Sequence, residues 1–180
     1  MLIQMLSESA FEEISVKQLC DRAEVSRVTF YSHYGDKFEL AEDIFNDMQQ
    51  KGKLEYQQLE NANNPADDPI TSYCNLLDST LTIYYDNYDF FRHTTPNENP
   101  YLAFSFYNYV LKTVELFTER SSGRLKPKYS SRQITSFLCF GLCGFVNESR
   151  ISGLSLDSIR KDTKEILRGI LSSNILTGLP

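Results

Sequence analysis

The chain has 180 residues, with 18 basic and 24 acidic side chains, a formal net charge of −6, 41% hydrophobic residues and 23% charged ones. That balance fits a folded chain of one or two domains and excludes wholesale disorder, and its acidity argues against indiscriminate binding to nucleic acid while allowing a small local reading surface. No apolar run approaches the ~18 residues of a membrane span, and Met1 to Ala10 lacks the cationic start of a secretory leader.

Apolar residues recur at intervals of three and four, which predicts helices throughout. Leu2, Ile3, Leu6, Ala10 and Phe11 form a first stripe, and Val16, Leu19, Cys20 and Ala23 a second. Ser15 with Gln18 three residues on has the capping-box form, so the second helix starts there and ends near Ala23-Glu24. Val25-Ser26 turns the chain, Ser26 caps a third helix over Arg27 to Tyr34, and Gly35 ends it. Asp36, with Glu39 in the capping-box position, opens a fourth helix that carries Phe38, Ala41, Ile44, Phe45 and Met48 and reaches about Gln58. The polar stretch Glu60 to Asp68 predicts a loop. Asp68-Pro69 is a helix start, with Asp as cap and Pro at the first helical position, for a long aromatic helix ending near Tyr88. Thr94 to Pro100 predicts a loop, Ala103 to Glu119 a helix, and Ser121 to Ser130, with Gly123 and Pro127, a connector. Arg132 to Ile151 and Leu156 to Ile175 are the last two helices, split by Ser152-Gly153. The expected class is all-α: an N-terminal three-helix unit, residues 1–52, joined through the fourth helix to a larger helical bundle, residues 53–180.

Two short helices joined by a three- to four-residue turn have the helix-turn-helix arrangement. A helix that enters the major groove buries one side and presents short polar, aromatic or basic groups on the other. Phe30 and Tyr34, four apart, are expected on the buried side. Arg27, Val28, Tyr31 and Ser32 lie towards the other, with Thr29 and His33 at the margins.

The run SRVTFYSHYGDKFEL, Ser26 to Leu40, closely resembles the TetR family of bacterial transcriptional regulators. The family pattern of a Thr, an apolar residue and Tyr, a His two further on, an aromatic and then Asp-Lys is met by Thr29, Phe30, Tyr31, His33, Tyr34, Asp36 and Lys37. Upstream, FEEISVKQLCDRAEVS looks like the family's second helix and turn. The resemblance implies that Thr29 and Tyr31 touch phosphates or bases through their hydroxyls and that His33 contacts phosphate. It implies that Lys37 meets phosphate by its backbone N–H or its charge, and that Ser15 and Lys17 lie over the DNA backbone, with the Ser26 cap on the same surface. Arg27 and Val28 sit where the family reads bases, Arg27 suited to guanine and Val28 to a thymine methyl. Two features depart from the pattern. Glu24 stands in the turn where most relatives have Gly. Residues 1–53 hold six basic groups (Lys17, Arg22, Arg27, Lys37, Lys51, Lys53) against ten acidic ones, so affinity is expected to rest on a few placed contacts with a modest salt slope.

The body is aromatic. Tyr73, Tyr84, Tyr85, Tyr88, Phe90 and Phe91 form one cluster, and Tyr101, Phe104, Phe106, Tyr107 and Tyr109 another. Most are expected in the core, but each buried phenol needs a hydrogen-bond partner, and an apolar cavity with a few polar handles is what a ligand site between helices requires. The candidate pocket residues are Tyr84, Tyr88, Phe104 and Tyr107. Arg92 and His93 either meet an anionic group or lie in a solvated loop. Gly141 and Gly144 place small residues on a bulky helix, where close approach of another helix would compensate their cost. The resemblance implies that the last two helices pair with their copies in a homodimer, through Phe140, Gly141, Gly144, Ile166 and Ile170. Cys20, Cys74, Cys139 and Cys143, without CxxC spacing, are expected as buried thiols in a reducing, cytoplasmic compartment, with no metal site and no cofactor. With two histidines and no phosphate-cradling glycine loop, no catalytic constellation is predicted.

The resemblance therefore implies a homodimeric, sequence-specific repressor that binds a palindromic double-stranded operator and is released by an unidentified small-molecule effector, with the fourth helix carrying the change. The acidic head keeps a rival open: a regulator-like interaction protein or co-activator whose body binds a protein partner.

Overall fold

The structure, a computed structural model, describes residues 1–91, 99–125, 127–173 and 176, and the side chains among these apart from residues 89 and 121–125. Arg92 and His93 lie outside the described residues. Among the described residues the helices are α1 (Leu2–Leu6), α2 (Val16–Ala23), α3 (Arg27–Tyr31), α4 (Lys37–Asn63), α5 (Pro69–Asp86), α6 (Tyr88–Phe91), α7 (Pro100–Leu125), α8 (Ser131–Ile151) and α9 (Leu156–Ser172), and no strand is present. No helix is long and apolar enough to cross a membrane among these residues.

Helix starts follow local chemistry. Ser15, Ser26, Ser130 and Ser155 each sit in extended backbone and accept an N–H from three residues on. Asp68 Oδ2 accepts the Thr71 N–H at 2.8 Å, and Pro69 is the first residue of α5.

Elsewhere the packing changes the expected boundaries. The first apolar stripe does not wind as one helix. α1 stops at Leu6, Ala10 is extended, and Phe11–Glu13 forms a single 3-10 turn. Phe11 reaches the core from that turn, fully buried. α3 closes at Tyr31, three residues short of Tyr34. α7 starts at Pro100 and runs through Gly123 to Leu125, because one interior glycine costs only ~1 kcal/mol in a helix of this length.

α4 runs to Asn63, past Gln58, because the polar stretch after it finds partners instead of water. Glu60 accepts from Asn75 at 2.6 Å, Ser72 at 2.8 Å and Asn64 at 3.0 Å. Asn64 also donates to Asp68 O and Ser72 Oγ and accepts the Asp68 N–H at 2.8 Å. Asn63 and Asn75 exchange side-chain hydrogen bonds of 3.0 and 2.8 Å. Asn75 is 1% exposed.

The residues divide into two compact units, Met1–Gly52 with Thr82–Tyr107, and Lys53–Leu81 with Asn108–Pro180. In the first unit Leu2, Met5, Leu6, Phe11, Ile14, Leu19, Ala41, Phe45 and Met48 share one core with Ile83, Phe90, Phe91 and Leu102. Rings supply much of it: Phe45 lies edge-on to Phe90 at 5.4 Å, Phe91 meets Phe106 at 4.3 Å, and Tyr101 stacks on Phe11 at 5.6 Å. Gly52 is glycine because a Cβ there would fall 2.2 Å from Ile83 Cδ1. In the second unit Tyr73, Cys74, Ile134, Leu138, Leu167 and Leu171 form the core, and α8 packs on α9. The Tyr73 phenol, raised in pKa by burial, donates to Thr118 Oγ1 at 2.6 Å, and Thr118 donates to Val114 O. Asp78 on α5 receives Lys164 at 2.8 Å and Arg160 at 3.7 Å from α9.

The amide network makes a first prediction. Asn64→Ala strips three acceptors and one N–H of their partner at a buried position, and should lower the stability of the chain by about 1–3 kcal/mol, read as a lower urea midpoint at unchanged slope.

Candidate nucleic-acid interface

α2 is fixed at its start by a complete capping box. Ser15 Oγ accepts the Gln18 N–H at 3.2 Å, while Gln18 Oε1 accepts the Ser15 N–H at 2.8 Å and its hydroxyl at 2.7 Å. The Ser15 hydroxyl is thus engaged inside the head, and Lys17 stands exposed two residues further on. α2 ends at Glu24, which adopts the left-handed conformation (φ 55°, ψ 36°) and donates its N–H to Cys20 O. Glycine is the residue such a position favours; Glu24 holds it with a Cβ and leaves its carboxylate at the surface.

Ser26 then caps α3. Its oxygen accepts the Thr29 N–H at 3.0 Å and shares a 2.9 Å hydrogen bond with the Thr29 hydroxyl. The short α3 turns Phe30 inward and leaves Arg27, Val28, Thr29 and Tyr31 outward; Val28 is 81% exposed and Tyr31 56%. Tyr31 lies edge-on to Phe30 at 5.5 Å, which steadies the ring and leaves its hydroxyl at the surface. His33 is exposed, 6.4 Å from the ring of Tyr34. Tyr34 is not core. It is half-buried, because its phenol donates to Asp43 Oδ2 at 2.9 Å, a bond that also raises the phenol pKa.

α4 opens with Asp36 Oδ1 accepting the N–H groups of Phe38 and Glu39 at 2.8 and 2.9 Å, and with Glu39 Oε2 accepting the Gly35 N–H at 2.5 Å. The Lys37 ammonium does not reach outward. It donates to the backbone carbonyls of Phe11 at 2.7 Å, Glu12 at 2.9 Å and Ile14 at 2.8 Å, with the Phe11 ring centroid 4.8 Å away. Burial lowers its pKa, opposed by the Glu12 carboxylate. Only the backbone N–H of Lys37 is left of the two phosphate contacts that the sequence allowed. Arg22 pairs with Glu8 at the surface. Two of the six basic groups in residues 1–53 are therefore spent inside the head, while Lys17 and Arg27 face solvent on its reading side. The Lys37 and Arg22 partners lie 14 to 26 residues away, and no local pattern marks them.

The other expected residues fall as follows. Tyr84 stacks on Phe91 at 5.3 Å and approaches Tyr88 at 6.5 Å, so the structure brings these two together. Tyr107 is half-buried, and Phe104, 65% exposed, turns to the surface in the single chain. Phe140, Gly141, Gly144 and Ile166 are exposed, and Ile170 is half-buried against the core. A Cβ on Gly141 or Gly144 would meet nothing within 4 Å, so no helix among the described residues explains those glycines. Phe137, unmarked in the sequence reading, is exposed on the same helix. Of the four cysteines Cys143 is exposed and the others buried, Cys139 with its pKa pushed up to about 12 by burial.

Residues 3–44 match the family model described as bacterial regulatory proteins, tetR family. The match covers the N-terminal head, helices α1 to α3 and the start of α4. Over 49 residues it is 35% identical to the uncharacterized HTH-type transcriptional regulator YxbF of Bacillus subtilis (strain 168). That stretch is 27% of this chain and 13% of the relative, so the likeness concerns the head alone. In three dimensions the chain is similar to a crystal structure named for the TetR family of transcriptional regulators, from Syntrophomonas wolfei str. Goettingen. The TM-score is 0.76, with 10% identity, over 97% of this chain and 92% of the other. That likeness extends the TetR fold beyond the head into the helical body.

The TetR-type turn yields a second prediction. Glu24→Gly removes a left-handed Cβ and should stabilise the chain by about 1 kcal/mol in urea denaturation.

Proposed function

We propose that this chain is a TetR-family, sequence-specific DNA-binding transcriptional regulator, a homodimeric repressor in the cytoplasm that a small-molecule ligand releases from a palindromic operator. One observation carries the reading: α3 buries Phe30 and turns Arg27, Val28, Thr29 and Tyr31 together to solvent. A helix in the major groove needs that division. Arg27 reaches guanine O6 and N7, Val28 packs on a thymine methyl, and the hydroxyls of Thr29 and Tyr31, with His33, reach phosphate or base edges. The N-termini of α2, with Lys17, and of α4 lie over the phosphates. In this reading residues 1–52 contact DNA and residues 53–180 bind the effector and dimerise.

The exposed face of α8 and α9 supports the dimer. Phe140, Gly141, Gly144 and Ile166 offer apolar area beside open backbone, where a second copy can approach closely. Two identical heads need a two-fold operator, with half-sites about 34–36 Å apart or a multiple of that. For the effector the reading uses the aromatic stretch around Tyr84, Tyr88, Phe104 and Tyr107.

Selection from a random pool of duplexes tests the DNA reading. A palindrome should be recovered; no enrichment at low salt rejects it in favour of an interaction protein or co-activator. With the recovered duplex, Arg27→Ala should relax preference at one base position by ~1–3 kcal/mol, while Tyr31→Phe weakens all sequences alike. In sedimentation equilibrium Phe140→Glu should turn a dimer into a monomer, because the charge enters the apolar patch in both copies at once.

A further inference from the structure

In the first unit, Lys37 opens α4 at the place where a cation would meet a phosphate, yet its side chain turns back into the protein. An ammonium has three N–H donors. The carbonyls of Phe11, Glu12 and Ile14 stand at 2.7, 2.9 and 2.8 Å from Nζ, one acceptor for each donor. These oxygens belong to the 3-10 turn Phe11–Glu13 and the residue that follows it. Carbonyls at such an end have few helical partners and carry the negative end of the local dipoles, so a cation there is favoured. The rings of Phe11 and Phe38 flank the ammonium, with centroids 4.8 and 5.5 Å from Nζ. Phe11 is itself held between Phe38 and Tyr101. No donor remains for a phosphate oxygen.

The two ends of this clamp are informative. Ile14, whose carbonyl is held, directly precedes Ser15, the cap of α2. Lys37 directly follows Asp36, whose carboxylate caps α4. We propose that Lys37 is a positioning residue of the DNA-reading head: it fixes the spacing between the N-termini of α2 and α4 and neutralises no phosphate. The segment between those termini contains the turn and α3, so the same clamp also sets where α3 stands between the two phosphate-facing ends. The consequence for DNA rests on the function proposed above; the placement of the ammonium does not.

Two measurements test this. The first is acylation of lysine amines in the full-length chain without DNA, followed site by site by mass spectrometry. Lys37 should label much more slowly than the exposed Lys17, and equal rates overturn the clamp. The second is fluorescence anisotropy with the selected duplex over a series of salt concentrations. A lost phosphate contact lowers the slope of log affinity against log salt by about 0.9, whereas lost positioning lowers affinity and leaves the slope alone. Lys17→Ala should show the first behaviour. Lys37→Met should show the second, with cognate and unrelated duplexes weakened alike. A slope loss in Lys37→Met, or wild-type affinity, overturns the proposal. If Lys37→Met fails to fold, Lys37→Arg takes its place: it keeps the charge but replaces the compact three-donor head by a planar fork. It should bind more weakly at unchanged slope, and wild-type affinity overturns the proposal. If no duplex is ever recovered, the DNA reading fails on its own account, and the labelling rates decide the clamp without it.

Discussion

The reading head hangs on a cation that faces inward. Each hydrogen bond from a charged donor contributes about 1.5–3 kcal/mol, and Lys37 makes three of them to the carbonyls of the 3-10 turn Phe11–Glu13 and its end, Ile14. Against this stands the desolvation of the ammonium, visible in its lowered pKa. A side chain that ties a turn to the start of a long helix removes freedom where short helices have none to spare. α2 has eight residues and α3 five, lengths at which a helix is not stable alone and takes its stability from tertiary contacts.

The same economy shapes the charge of the head. On the proposed DNA reading, an acidic protein that binds an acidic polymer must rely on placement, since bulk attraction works against it. With Arg22 tied to Glu8 and Lys37 turned inward, the cations on that side of the head are few, and the proposed function gives hydroxyls and helix N-termini a larger share. The outward rings and hydroxyls of α3 stay ordered because capping and packing hold them: Ser26 engages Thr29, and Phe30 braces Tyr31.

Much of this was legible in the sequence, and what was legible is local. The caps at Ser15, Ser26, Asp36 and Asp68 are legible, because donor and acceptor stand within three residues of each other. The outward set on α3 was readable from the motif. What escaped depends on distant partners. Glu60 to Asp68 reads as loop when judged by polarity, and its first part, Glu60 to Asn63, is helix because Ser72 and Asn75 supply hydrogen bonds from α5. Tyr34 reads as core by its spacing with Phe30, and is drawn outward by Asp43. Lys37 reads as a surface cation, and nothing near it in sequence says that Phe11 and Ile14 wait for it. Cys143 reads as a core thiol from its spacing with Cys139, but among the described residues it is exposed.

The core of the first unit is assembled from two stretches of chain that are far apart in sequence. Phe11 donates its backbone N–H to the side chain of Asn99, 88 residues later, and its ring is covered by Tyr101. Ile83, Phe90, Phe91 and Leu102 complete what α1 to α4 begin. On the ribosome these pieces arrive in sequence. The first fifty or so residues emerge with their apolar stripes bare, and at ~5–20 residues per second the remainder follows only after several seconds. During that interval the nascent head is a set of fluctuating short helices, and its exposed phenylalanines are a natural station for a holding chaperone. Of the two stretches that build this core, the one made first therefore waits for the other before it becomes native. A message that terminates before the codons for α7 would release a chain whose head has its motif intact and its core unfinished.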